Sequence, residues 1–86
     1  MIPTEFRRNR ALATARLALA QLDQREAEQA CRSAHRVLDL MGTDPLPGRT
    51  RTVLGDFHRH LLTTAPQAPA TLEWTERARR DWSRAA

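Results

Sequence analysis

Apolar residues recur along this chain in blocks of helical period, separated by short polar or proline-bearing breaks. The clearest block covers residues 11–40, which read as two amphipathic helices of nearly equal length, broken only at Asp23-Gln24-Arg25. On the first helix Leu12, Ala15, Leu19 and Leu22 fall at heptad-like spacing, while Ala13, Leu17 and Ala20 form a second stripe on another face. Two apolar stripes on one helix predict two packing neighbours, and the many alanines let those neighbours come close. Pro3 suits a first turn and Thr4 an N-cap, so the helix is expected to run from there to about residue 22.

Asp23 followed by Glu26 has the pattern of a capping box, and a second helix is expected to continue to about residue 41. Ala27, Ala30, Cys31, Ala34, Val37, Leu38 and Met41 follow the i, i+3, i+4, i+7 rule of one buried face. Glu28, Arg32, Arg36 and Asp39 occupy the outer face at ion-pair spacing. Gly42 is a natural residue just past a helix end, and Pro45 and Pro47 prevent continuation.

A third helix is predicted over residues 49–64, burying Val53, Leu54, Phe57, Leu61 and Ala65. Pro66 and Pro69 make a second short break, because each pushes its predecessor out of the α region. A fourth helix is predicted from residue 69 or 70 to residue 84, with Trp74, Ala78, Trp82 and Ala85 aligned on one face. Glu73 with Arg77 and Glu76 with Arg80 are spaced as i,i+4 pairs. The two tryptophans are expected to anchor this helix on the third, near Phe57 and Leu61; the alternative is a partner-binding hot spot. The expected architecture is all-α, one domain over residues 1–86, with four helices in two antiparallel hairpins. Residues 1–42 form the repeat-like hairpin and 48–86 a second, irregular one.

Length and composition narrow the functional classes. Eighty-six residues can hide only about 60–65% of the unfolded surface, so the core is thin. No apolar run reaches the roughly 18 residues needed to span a membrane, and the start of the chain lacks the apolar region of a signal peptide. The single cysteine, Cys31, excludes an intramolecular disulfide and fits a reducing cytoplasm. All 14 basic residues are arginine, the mark of a GC-rich genome such as an actinomycete's, or of selection at a phosphate-binding surface. A net charge of +4 permits weak nucleic-acid contact without requiring it.

Candidate chemistry is sparse. Cys31 and His35 have the i,i+4 spacing of two metal ligands, but no second pair lies near, and Cys31 falls on the predicted core face. His58 and His60 point about 200° apart on a helix and cannot share an ion; Asp56 and His60 are spaced to pair. No paired carboxylates, glycine-rich phosphate loop or nucleophile elbow is present. Catalysis, a metal and a cofactor are therefore not expected. Arg7, Arg8, Arg10 and Arg16 make the first half of the first helix basic, either as a solvated face or as a surface for an acidic partner or a nucleic-acid backbone.

Residues 11–22, 25–31 and 37–40 together resemble a tetratricopeptide repeat, most closely the degenerate repeats in the C-terminal parts of actinobacterial helix-turn-helix transcriptional regulators. Leu17, Ala18, Ala30, Ala34 and Val37 match the small and apolar packing positions, Ala18 standing where glycine is usual and Ala30 at the alanine of the second helix. Residues 49–61 resemble the helix that follows the last full repeat in those regulators. Gln21 stands where a full repeat usually has an aromatic residue, and Gly42 where proline is common. The resemblance covers about one repeat closely and the rest loosely, and it includes no DNA-binding domain.

The resemblance implies ligands along the concave face of each repeat's first helix. By position that face is Leu12, Ala15, Leu19 and Leu22, with Arg8 and Arg16 beside it. An uncovered apolar stripe of this kind marks an interface, for a protein or peptide partner or for self-association. The function expected is a non-catalytic interaction module of a cytoplasmic bacterial transcriptional regulator. The alternative is a small arginine-rich nucleic-acid-associated protein, and a small helical enzyme or enzyme subunit is a third class.

Overall fold

The structure is a computed structural model that describes residues 3–82. These residues form four helices: α1 (Thr4–Asp23), α2 (Ala27–Met41), α3 (Gly48–Thr64) and α4 (Pro69–Arg77), the last running into a π-helical turn at Ala78–Trp82. No strand occurs among the described residues, so the fold is all-α. The expected extension of the last helix through Arg84 and Ala85 lies outside the described residues.

Helix ends follow local chemistry with two departures. Pro3, with φ −60° and ψ 148°, takes the N-cap position, and Thr4 is already helical. The capping box expected from Asp23 and Glu26 does not form. Asp23 remains the last residue of α1, and Glu26 itself occupies the N-cap position of α2 without a side-chain capping bond. The reason is how α1 closes. Arg25 N–H donates to Leu22 O and Glu26 N–H to Gln21 O, each at 2.9 Å, with Arg25 at φ 64°. This is a Schellman closure with arginine at the left-handed position usually filled by glycine. It uses up residues 24–26, leaving no room for a box. Gly42 ends α2 at the expected residue, but with φ 58° and ψ −121° it lies outside the left-handed helical well, in a region open to glycine.

The core is assembled around α1, which packs on both α2 and α3; α2 also packs on α4. Ala11, Ala15 and Ala18 are fully buried, so α1 carries little bulk at its contacts and the neighbouring helices come close. α2 buries Ala30, Cys31, Ala34, Val37, Leu38 and Met41, the expected face, with Ser33 in addition. α3 buries Leu54, Phe57 and Leu61, while Val53 and Ala65 are only partly covered. Trp74 is the largest fully buried side chain and stands edge-on to Phe57, ring centroids 5.6 Å apart. α4 lies closest to α2, and its link to α3 runs through side chains.

Candidate functional site

α1 has two apolar faces, and the fold uses them in the opposite sense to the expectation. The stripe expected to stay open is largely core. Ala15 is 0% and Leu22 4% exposed, and Leu12 and Leu19 are half-buried on its flanks. Ala15 and Leu22 are therefore not available to a partner. The cause is α3, which packs on α1 as well as α2 does and closes the side that two helices alone would leave bare.

The second stripe is the exposed one. Ala13, Leu17 and Ala20 face solvent, and Phe6 extends the same line toward the start of the helix. Leu17 is 47% and Phe6 52% exposed. At 100° per residue these four side chains fall within about 60° of arc. Phe6 was missed in the sequence, although its i, i+7, i+11 relation to Ala13 and Leu17 was there to be read.

Arg10 and Arg16 border this strip on either side, and both are exposed. Arg8 lies toward the other side of the helix, ahead of the point where the core begins at Ala11, and is exposed there. None of the three takes part in an ion pair among the described residues. Arg7 has a structural role. Its guanidinium pairs with Asp44 and reaches Leu40 O, tying α1 to the last turn of α2 and to the segment that follows it.

The polar groups elsewhere serve the fold. Arg77 donates to Asp39 Oδ1 at 2.5 Å, to Asp81 Oδ2 at 3.1 Å and to His35 O at 3.2 Å. It thereby replaces the expected Glu73 pairing with a clamp between α4 and the end of α2, and its hydrogen bond holds the Asp81 carboxyl below its ordinary range. Arg80 likewise turns to Asp81, not to Glu76. Asp56 pairs with Arg59, and the His60 imidazole stands 3.8 Å from Asp23. Arg32 and Glu28 form the expected i,i+4 pair. A cavity of about 520 Å³ opens beside the clamp, with Leu38, Met41 and Leu46 facing Asp39, Asp44 and Arg77. Its charges are engaged by one another and by Arg7.

Cys31 is core, as its position implied. Burial, with Glu73 adding to it, pushes the thiol up to about 11, away from the reactive thiolate. Among the described residues no three histidine, cysteine or acidic side chains converge as a metal site would require. No helix among the described residues is long and apolar enough to cross a membrane. His58 and His60 diverge as the helical period requires: His58 turns inward to accept the Trp74 indole N–H, and His60 turns outward. No family model, curated protein or solved structure matches this chain.

Proposed function

We propose that this chain is a non-catalytic helical interaction module, the tetratricopeptide-like part of a cytoplasmic bacterial transcriptional regulator, and that it holds a partner helix along the outer face of α1. The observation that carries this reading is the exposed line of Phe6, Ala13, Leu17 and Ala20 on a helix whose opposite face is already filled. In stacked helical arrays the end elements are capped by polar outer faces, because an apolar one attracts another element. α1 presents an apolar face, so it is built to receive one. The neighbour order supports the array-like reading, with α1 touching α2 and α3 and α2 touching α4.

The partner fits by shape and charge. Ala13 lies between Phe6 and Leu17, and Ala20 follows Leu17, so small and large apolar side chains alternate along the strip in a way suited to a helix with one apolar stripe. Unpaired Arg10 and Arg16 favour acidic residues beside that stripe. A catalytic role has no support from Cys31, whose thiol is buried and pushed up in pKa, or from His35 and His58, whose Nδ1 atoms are engaged.

A designed amphipathic peptide with a leucine stripe and glutamate borders tests the proposal. Fluorescence anisotropy is expected to show binding that Leu17→Glu abolishes without loss of helicity. Sedimentation of the chain alone reports whether a second copy takes the same place. Failure of the peptide to bind, together with a monomer at all concentrations, overturns the reading.

The exposed, unpaired Arg8, Arg10 and Arg16 favour a second reading, in which α1 contacts a nucleic-acid backbone. Duplex binding that falls steeply with salt, and that survives Leu17→Glu, would select it.

A further inference from the structure

Besides the bonds of Arg77 to Asp39 and to His35 O, which histidine protonation leaves in place, α4 is fastened by two hydrogen bonds whose acceptors are histidine nitrogens on two different helices. Trp74 Nε1–H donates to Nδ1 of His58 on α3 at 3.1 Å. Arg77 Nη1 reaches Nδ1 of His35 on α2 at 3.3 Å. An indole N–H and a guanidinium can only donate. Each Nδ1 must therefore offer a lone pair, so both imidazoles are neutral and carry their proton on Nε2.

Protonation removes both acceptors at once, because an imidazolium carries N–H at both nitrogens. It also places a His35 cation against the Arg77 guanidinium. Burial first and then Arg77 favour the neutral His35 ring, while Asp39 and Glu73, which face it, favour the cation. His58 faces the rings of Trp74 and Trp82 and has burial alone acting on it, which again favours the neutral form. The His60–Asp23 contact, 3.8 Å, joins α3 to α1 and does not involve α4.

α4 is also the element most easily detached. It has nine residues, follows a break containing Pro66 and Pro69, and lies closest to α2 alone. The α1–α2 and α1–α3 contacts do not involve it. Sub-global opening of such a unit needs less free energy than unfolding the whole chain.

We propose that α4 is an acid-released strap: protonation of His35 and His58 lifts it from α2 and α3 and uncovers the surface around Phe57, while α1, α2 and α3 stay folded. Both rings titrate lower when α4 is docked than the ordinary value of 6.5. Docking is therefore fully favoured above that value and loses favour as pH falls through the docked-state range. Each lost hydrogen bond raises the released population roughly fivefold.

The test follows amide exchange by residue and acrylamide quenching of Trp74 in a Trp82→Phe background, as pH is lowered from about 8 to about 5. Protection over residues 69–77 and of Trp74 is expected to fall first, while α1 and α2 stay protected. The double variant His35→Asn/His58→Asn keeps an acceptor near each Nδ1 but does not titrate, and its α4 is expected to stay docked at the lower pH. Ring-nitrogen NMR of the unmodified chain at neutral pH is expected to show the Nε2–H tautomer at both histidines, a readout independent of whether the variant folds. Protection that does not change with pH, loss of all helices in one step, or a charged or Nδ1–H ring at either histidine overturns the proposal.

Discussion

Ser33 Oγ donates to Gln21 Oε1 over 2.6 Å, joining α2 to α1 close to the turn between them. Gln21 stands where the resemblance to tetratricopeptide repeats would place an aromatic residue. Here the position bonds instead of stacking, and it accounts for the polar Ser33 on the otherwise apolar face of α2. A double-mutant cycle with Ser33→Ala and Gln21→Ala isolates this bond from the helix-propensity gain of alanine. A coupling energy of about 1 kcal/mol is expected from urea unfolding. A coupling indistinguishable from zero would mean that the bond is not formed in solution.

The left-handed Arg25 is a local weakness. An L-residue there costs about 1–2 kcal/mol relative to the right-handed region, and glycine removes that penalty while adding some unfolded-state entropy. Arg25→Gly is therefore expected to stabilise the chain by roughly 0.5–1 kcal/mol. Gly42→Ala should do the reverse by about 1 kcal/mol. A methyl group at Gly42 would meet nothing within 4 Å, so its backbone conformation, φ 58° and ψ −121°, sets the effect. Thermal melts of the two variants shifting in the same direction would refute this account.

Two buried threonines carry hydroxyls that bond to nothing among the described residues, Thr50 and Thr71. Thr14, Thr52 and Thr75 satisfy theirs on the carbonyl four residues back. Thr50 and Thr71 sit in the first turns of α3 and α4, where the residues four back, Leu46 and Gln67, precede the helix. Valine keeps the shape and removes the unpaired group. Thr50→Val and Thr71→Val are each expected to raise stability by about 1 kcal/mol. Destabilisation by either would show that its hydroxyl has a partner in solution.

The two faces of α1 are separable by one pair of substitutions. Ala15 is fully buried and Ala13 exposed. Ala15→Leu forces extra methyl groups into a close helix contact and is expected to cost about 1–3 kcal/mol. Ala13→Leu is expected to stay within about 0.5 kcal/mol of the parent chain. Denaturant midpoints in the reverse order would put the core on the other side of α1.

The helices and their limits were largely legible in the amino-acid order. Gly42, Pro45, Pro47, Pro66 and Pro69 act on the backbone within a residue or two, whatever the rest of the chain does. The faces of α2 and α3 were legible for a related reason: each has a single continuous apolar stripe, so only one orientation buries it. The end of α1 was less so, because Arg25 has no intrinsic preference for the left-handed conformation that the Schellman bonds impose on it.

Local sequence determined that α1 is a helix with apolar residues on two sides; it did not determine which side would be covered. Leu12, Ala15, Leu19 and Leu22 match or exceed Ala13, Leu17 and Ala20 as an apolar stripe, and periodicity ranks neither for a given neighbour. The packing of α3 on α1 settled that choice, through contacts between residues distant in the chain. The same holds for His35 and His58. Spacing gave His35 only an i,i+4 relation to Cys31 and set His58 apart from His60, and only the approach of Trp74 and Arg77 from α4 turned their Nδ1 atoms into acceptors. Helix position is a property of neighbours in sequence, and the exposed surface is what remains after neighbours in space have packed.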